Sequence, residues 1–503
     1  MKSFLIKNSL LILILLIALF LRFYKLGQNP PGLYWDEAAI GYNAYSILKT
    51  AKDEYGNFLP VSFRSFDDYK APFYIYLTVP SIAVFGLNEF AVRFPSAFFG
   101  VLTVLLTYLA TREIFKNNKI ALFSSLFLAI SPWHLQFSRA AFEANLMLFL
   151  NLLGFLLFLH FGKLPSKGYK YLIASVISFG LAFNAYHAAR IWVPLFLLMI
   201  TIFYFKKLIG LRLKLIVPAA ILILLIFPAV SNFQRATTRA KSVAIFGKPN
   251  FMQNFISGYL AHFSPNFLFI AGDQIGRHSI PGFGQLYVFQ LPLVILGVIS
   301  LAAKRTVDGR LLLAWFILSA IPAAVSTPVP HALRSITIVP LWSIITALGT
   351  VHLLESKIKN TIRYLLIAAI LLIAFYNFAT YLHLLWKHYP KLTAPDWQDG
   401  YREMTEYVNT IKDRYEKIAI TDYYGHPYIY VLFYLQYDPA LYQKQVNQNG
   451  FDRYEFFGES WEKKVTGPVL VVRPKWQIPE PSPKYLKFIY ATNGDLVYRI
   501  SEE

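Results

Sequence analysis

Long apolar runs separated by short polar loops dominate the chain. The runs last about 17 to 22 residues, and each is long enough to cross a hydrocarbon core of about 30 Å. The first, Phe4 to Leu21, follows Lys2 and Lys7. No small-x-small cleavage pattern follows it, and Arg22-Phe-Tyr-Lys25 comes next, so it reads as a retained span rather than a removed leader. Further spans are expected near 94–109, 120–137, 145–162, 171–187, 191–205, 214–230, 286–303, 311–326, 335–353 and 363–381. Phe73 to Phe85 is apolar but short and contains Pro80, and is placed on the outer surface. Phe251 to Tyr259 is also too short to span, so it lies along the interface or dips in and returns.

After about Tyr389 the pattern changes. Asp396-Trp397 opens an expected helix to about Lys412, and Ile418–Thr421, Val469–Val472, Leu486–Tyr490 and Val497–Ile500 read as strands. The expected architecture is an all-α polytopic membrane domain over 1–388, with about eleven transmembrane helices and outer loops at 23–93 and 231–285. A small extracytoplasmic α/β domain follows over 389–503.

Composition supports this class: 56% of the 503 residues are hydrophobic and only 15% are charged. With no cysteine, disulfides and thiolate metal sites are excluded. The net charge of +20 does not point to nucleic acid, because much of the excess sits in short loops between apolar runs. Basic loops at Lys163–Lys170, Lys206–Lys214, Lys304–Arg310 and Glu355–Arg363 all fall on the cytoplasmic side of the count, and membrane lipids are the natural partner.

The same count gathers the polar residues of the outer face. Asp36, Glu37, Asp67, Asp68, Lys70, Arg139, Glu143, His187, Arg190, His262, Asp273, Arg277, His278, His331 and Arg334 all fall on outer loops or outer helix ends. Acidic residues this close to a bilayer lose hydration and usually do chemistry or bind something. Asp36, beside Tyr34, Trp35 and Glu37, also suits the N-cap of an amphipathic helix with Ile40, Ala44, Ile47, Leu48 and Ala51 on one side. Asp67 and Asp68 read as a solvated turn, and His187 as an interfacial histidine. His262, Asp273 and His278 have metal-ligand chemistry without a recognisable ligand spacing.

Several of these stretches resemble a known family. Trp35-Asp36-Glu37 after a first span, then Lys70-Ala71-Pro72, then Phe85 to Pro95 (Phe-Gly-Leu-Asn-Glu-Phe-Ala-Val-Arg-Phe-Pro) are similar to the GT-C glycosyltransferases of family 39. That family contains the protein O-mannosyltransferases and the lipid A aminoarabinose transferases. The resemblance covers Phe4 to about Leu150, and His331-Ala-Leu-Arg334 before a span also looks like bacterial members. It implies a GT-C fold and sugar transfer from a polyprenyl-phosphate donor to an acceptor hydroxyl on a protein, lipid or glycan. By that resemblance Asp36 is the base and Lys70 stands where relatives carry a basic residue, while the residues themselves offer Glu37 as the second base.

The chemistry sets its own requirements. A carboxylate must take the acceptor proton, and cations must stabilise the phosphate leaving group. Lys70, Arg139, His331 and Arg334 are the phosphate candidates, and Tyr34, Trp35, Glu143 and His262 the substrate contacts. Asp36 and Glu143 could also hold a hard divalent cation, so the metal requirement stays open. The competing class is a transporter or flippase for a lipid-linked saccharide. Such proteins carry ionisable residues near the midplane and often show paired repeats, whereas here the charges lie at outer ends and no repeat is visible.

Overall fold

The apolar runs form helices, as their length and composition require. The computed structural model describes residues 8–66, 68–163, 168–231, 244–303, 306–462, 465–479 and 483–503. Among these, six helices are long and apolar enough to cross a membrane: Glu89–Phe115, Glu143–Lys163, Arg212–Val230, Val307–Ala324, Ile336–Leu354 and Asn360–Leu392. Asn118–Ile130 and Pro132–Ser138, bent by 57° at Ser131, make a seventh if taken as one span. Pro132 explains the bend, since it cannot donate into the preceding helix. The apolar helices Ser9–Phe23, Tyr169–Phe183, Ala189–Phe203 and Gln290–Ala302 lie at the remaining expected spans but are only 13 to 15 residues long. At 1.5 Å per residue, a 15-residue helix such as Ser9–Phe23 covers about 22 Å, less than a hydrocarbon core. The chain is thus a multi-pass membrane protein, with six spans by the length criterion among the described residues, or seven if the bent pair is one.

The chain divides into two compact units: 1–24 with 96–384, and 25–95 with 385–503. In the first unit, Gln290–Ala302 and Val339–Leu354 pack with their backbones in close approach. A Cβ at Gly297 would sit 1.9 Å from the carbonyl oxygen of Ile345, so only glycine fits there. The helix Asn360–Leu392 is only 6% buried along its apolar window, the pattern of a helix whose covering solvent is lipid.

The second unit is built around a six-stranded sheet. Its order is Gly450–Phe451, Tyr454–Phe457, Lys417–Thr421, Val469–Pro474, Leu496–Glu502 and Lys484–Tyr490. Lys417–Thr421 pairs in parallel with both of its neighbours, and the edge pairs are antiparallel. The four expected strands are present, while Gly450–Phe451 and Tyr454–Phe457 were not anticipated. The expected helix at Asp396 begins later, at Tyr401, because Gln398 and Gly400 adopt positive φ and interrupt it. From there Tyr401, Met404, Thr405 and Val408 form the buried stripe of an amphipathic helix ending at Ile411. Asp68 pairs with Ser65 in a short hairpin, Phe63–Ser65 with Asp68–Lys70, rather than standing in a solvated turn; Asp67 lies outside the described residues.

This unit also holds a buried acid. Glu54 is fully enclosed; Asn43 Nδ2 donates to its Oε1 at 3.3 Å, and its Oε2 has no partner. Burial, countered by the Asn43 hydrogen bond and reinforced by Asp53, pushes its carboxyl up to about 8. A raised folded-state value favours the protonated form in the fold. The stabilisation is therefore complete below the unfolded-chain value near 4.3 and is lost as pH rises toward 8. Glu54→Gln, which mimics the protonated acid, should lose this slope. Thermal unfolding between pH 5 and 8.5 should show the variant gaining on wild type as pH rises, by on the order of a few kcal/mol. A constant difference across that range would refute the assignment.

Candidate functional site

In the second unit the helix Trp35–Thr50 carries the first cluster. Its N-cap is Tyr34, not Asp36, and Glu37 closes the capping box by accepting from the Tyr34 N–H at 3.4 Å. Asp36 sits in the first turn, where a carboxylate complements the helix dipole. The helix is enclosed on more sides than an amphipathic stripe requires: Ala38, Ala39, Ile40, Gly41, Tyr42 and Asn43 are all buried. A Cβ on Gly41 would lie 2.5 Å from the Phe433 ring and 2.7 Å from Val92, so the glycine admits the helix Pro427–Tyr434.

The two acids are used differently. Glu37 is 4% exposed and receives both Arg93 Nε, at 3.1 Å to Oε1, and Arg93 Nη2, at 3.0 Å to Oε2. Arg93 is itself fully buried and also donates to the carbonyls of Leu26, Pro30 and Gly32. This fork ties the segment before the helix to the helix itself. Glu37, expected as the second candidate base, has both oxygens engaged in a structural pair.

Asp36 instead pairs with Lys70, the last residue of the hairpin. Its side chain is 28% exposed and that of Lys70 is 8% exposed, so the carboxylate remains reachable. Aromatic rings surround the pair. Trp35 lies 4.4 Å from Tyr34 and 5.2 Å, edge-on, from His426. Phe66 stacks on His426 at 3.9 Å, and Lys70 Nζ stands 5.8 Å over the Phe66 ring. The Trp35 N–H donates to Gln398 Oε1 at 2.9 Å, which fixes the helix start. Tyr34, Trp35, Asp36, Glu37 and Lys70 are thus brought together. Phe66, Arg93, Gln398 and His426 complete the cluster and were not assigned from sequence. Arg93 was visible within the Phe85–Pro95 stretch, whereas nothing local marks His426.

The first unit holds a second cluster. His331 donates its backbone N–H to His262 Nε2 at 3.0 Å, and His262 Nδ1 bonds the Gly258 carbonyl at 2.7 Å. Asp273 Oδ2 accepts from His278 Nδ1 at 3.0 Å and from the Ala332 N–H at 2.8 Å, while its Oδ1 accepts from the Ile275 N–H at 2.9 Å. The His278 and His331 rings lie 4.8 Å apart. Burial holds the three imidazoles below their ordinary value, hence neutral. Burial also raises the Asp273 carboxyl, but the His278 and backbone hydrogen bonds outweigh it and hold it below the usual range. Arg334 Nη1 donates to Ser326 Oγ at 2.8 Å and the Thr327 carbonyl at 2.9 Å.

Arg139 is placed elsewhere in this unit. It is 2% exposed and donates to the carbonyls of Leu21 at 2.7 Å, Arg22 at 3.2 Å and Tyr24 at 2.9 Å. It thereby caps the C-terminal end of the first helix, where a cation is favoured. Those bonds weigh against its use on a substrate phosphate. Glu143 opens the helix Glu143–Lys163 and is half-buried. Asp36 and Glu143 lie in different units.

Comparison with known proteins places this architecture. Residues 12–242 match the family model of dolichyl-phosphate-mannose-protein mannosyltransferase. An uncharacterised Aquifex aeolicus protein is 35% identical over 121 residues, which is 24% of this chain and 23% of that one. The structure of ArnT from Cupriavidus metallidurans bound to undecaprenyl phosphate is similar over 98% of both chains, at 15% identity and a TM-score of 0.58. The oligosaccharyltransferase AglB from Archaeoglobus fulgidus, solved with an inhibitory peptide and a dolichol-phosphate, is similar at 16% identity and a TM-score of 0.50. That match covers 84% of this chain and 63% of AglB. The chain therefore has the GT-C glycosyltransferase fold, and its residues 12–242 carry the pattern of the dolichyl-phosphate-mannose-protein mannosyltransferase family.

Proposed function

We propose that the chain is a membrane glycosyltransferase that moves a sugar from a polyprenyl-phosphate carrier to an acceptor hydroxyl of a protein, lipid or glycan. The reaction is placed on the outer face of the membrane. The observation that carries this reading is the Asp36–Lys70 pair, a reachable carboxylate held against an ammonium inside the family-matched region. The carboxylate accepts the acceptor proton as the new glycosidic bond forms. Lys70 orients the Asp36 carboxylate through the ion pair and offers positive charge to the departing phosphate. Trp35 and Tyr34 provide aromatic faces for a sugar ring. The carrier class is supported by the relatives solved with undecaprenyl phosphate and a dolichol-phosphate.

Within the first unit, Arg334 is proposed on its own geometry as a contact to a lipid phosphate. One of its terminal nitrogens is anchored on Ser326 and Thr327, which orients the fork. Arg334→Ala should raise the concentration of polyprenyl-phosphate sugar needed for half-maximal transfer, about tenfold or more for a lost charge-assisted contact. Arg334→Lys should recover only part of this, because a planar fork becomes a point charge. The check is transfer by purified protein from a polyprenyl-phosphate sugar to envelope extract. Unchanged kinetics in Arg334→Ala would remove the residue from the donor site, and an inactive wild type with every sugar offered would remove the transferase reading.

A further inference from the structure

We infer that Asp273, His278 and His331 in the first unit form a binding site for a zinc-class divalent cation. Each offers one ligand atom, and the three atoms lie within 4.8 Å of one another. All three side chains are at most 5% exposed. Two imidazoles and one carboxylate form the nitrogen-and-oxygen donor set that suits zinc and its neighbours rather than calcium or magnesium.

The support around the donors is already built. The Asp273 carboxylate is aimed by the N–H groups of Ile275 and Ala332, and its carbonyl accepts from Ser279 Oγ at 2.7 Å. His262 anchors the His331 main chain. Partners of this kind hold metal ligands in orientation in known sites. Donors bound tetrahedrally at about 2.0–2.1 Å stand roughly 3.3 Å apart, so binding draws this set together by about 1.5 Å or less, within reach of imidazole rotation.

Charge points to the fourth position. A dication with Asp273 carries a net +1. Three protein ligands leave one position open, and an anionic oxygen there would offset the excess. On this account His331 serves the cation rather than touching a phosphate directly. The binding stands apart from catalysis, because it is read by metal content alone.

The experiment uses full-length protein purified in detergent, stripped with chelator and titrated separately with Zn2+ and Co2+. Wild type should retain one Zn2+ per chain after desalting and give the visible Co2+ absorption of a four-coordinate site. Asp273→Asn with His331→Gln should weaken Zn2+ binding at least a hundredfold, while Lys70→Ala leaves it unchanged. Should the double variant fail to fold, His278→Cys decides the question. The chain contains no other cysteine, so a cobalt–thiolate charge-transfer band can arise only at that position. No stoichiometric Zn2+ in wild type, or a folded His278→Cys protein without that band, would overturn the inference. Either result leaves the transferase reading standing, just as metal binding in an inactive protein would leave this site standing.

Discussion

Asp36→Asn is expected to reduce sugar transfer by roughly a hundredfold or more, the usual scale for losing a general base, with the protein still folded and inserted. The amide keeps the size and shape of the acid but cannot accept a proton usefully. Helix capping is not at issue, because Tyr34 and Glu37 cap the helix and Asp36 does not. The pair with Lys70 is lost, but Asp36 is partly exposed, and such pairs contribute at most about 1 kcal/mol. Stability and activity should therefore separate. Lys70 remains to meet the phosphate, so donor binding should largely persist. The check is turnover from a polyprenyl-phosphate sugar beside thermal unfolding of the same preparation. Near-normal turnover would remove Asp36 from the base role.

Arg93→Met is expected to do the reverse of Asp36→Asn, damaging the fold first. The substitution would leave Glu37 charged and buried and three carbonyls without their donor. Breaking a buried ion pair on one side typically costs about 3–5 kcal/mol. Glu37→Gln should cost less, since the amide oxygen still accepts one Arg93 N–H. Combining Glu37→Met with Arg93→Met should cost clearly less than the sum of the two single changes, because no lone charge remains. Thermal unfolding of the four proteins measures the coupling. Additive losses would show that Glu37 and Arg93 act independently, and a stable, inactive Glu37→Gln would move the base role to Glu37.

These two acids show where the sequence stopped being informative. Trp35-Asp36-Glu37 after an apolar run singled out these acids, but nothing in three consecutive residues says which carboxylate is drawn into a buried pair. The answer lies in Arg93, 56 residues from Glu37, whose fork takes the second acid into the interior. Lys70 was legible through its neighbours Ala71 and Pro72, yet its contact with Asp36 depends on a hairpin whose turn residue Phe66 has positive φ. His262, Asp273 and His278 showed no ligand spacing, and His331, which the structure groups with Asp273 and His278, comes from a loop far along the sequence. The long helices up to Leu354 were legible from hydropathy to within about six residues at their ends, whereas Asn360–Leu392 runs well past its expected end at 381. The expected span 120–137 concealed the break at Ser131, because a bend is not visible in a smoothed apolar run. His426 and Gln398, which position Trp35 and Phe66, belong to the C-terminal part of the chain, and no local pattern linked them to residue 35.

The most direct test of the central claim is mass spectrometry of lipid-linked sugars and envelope glycans in cells with and without this protein. The account predicts that cells lacking it accumulate a polyprenyl-phosphate sugar and lose that same sugar from a protein, lipid or glycan, and that Asp36→Asn fails to restore it while wild type does. Unchanged carrier-linked sugars together with unchanged glycan masses would contradict it, as would full restoration by Asp36→Asn.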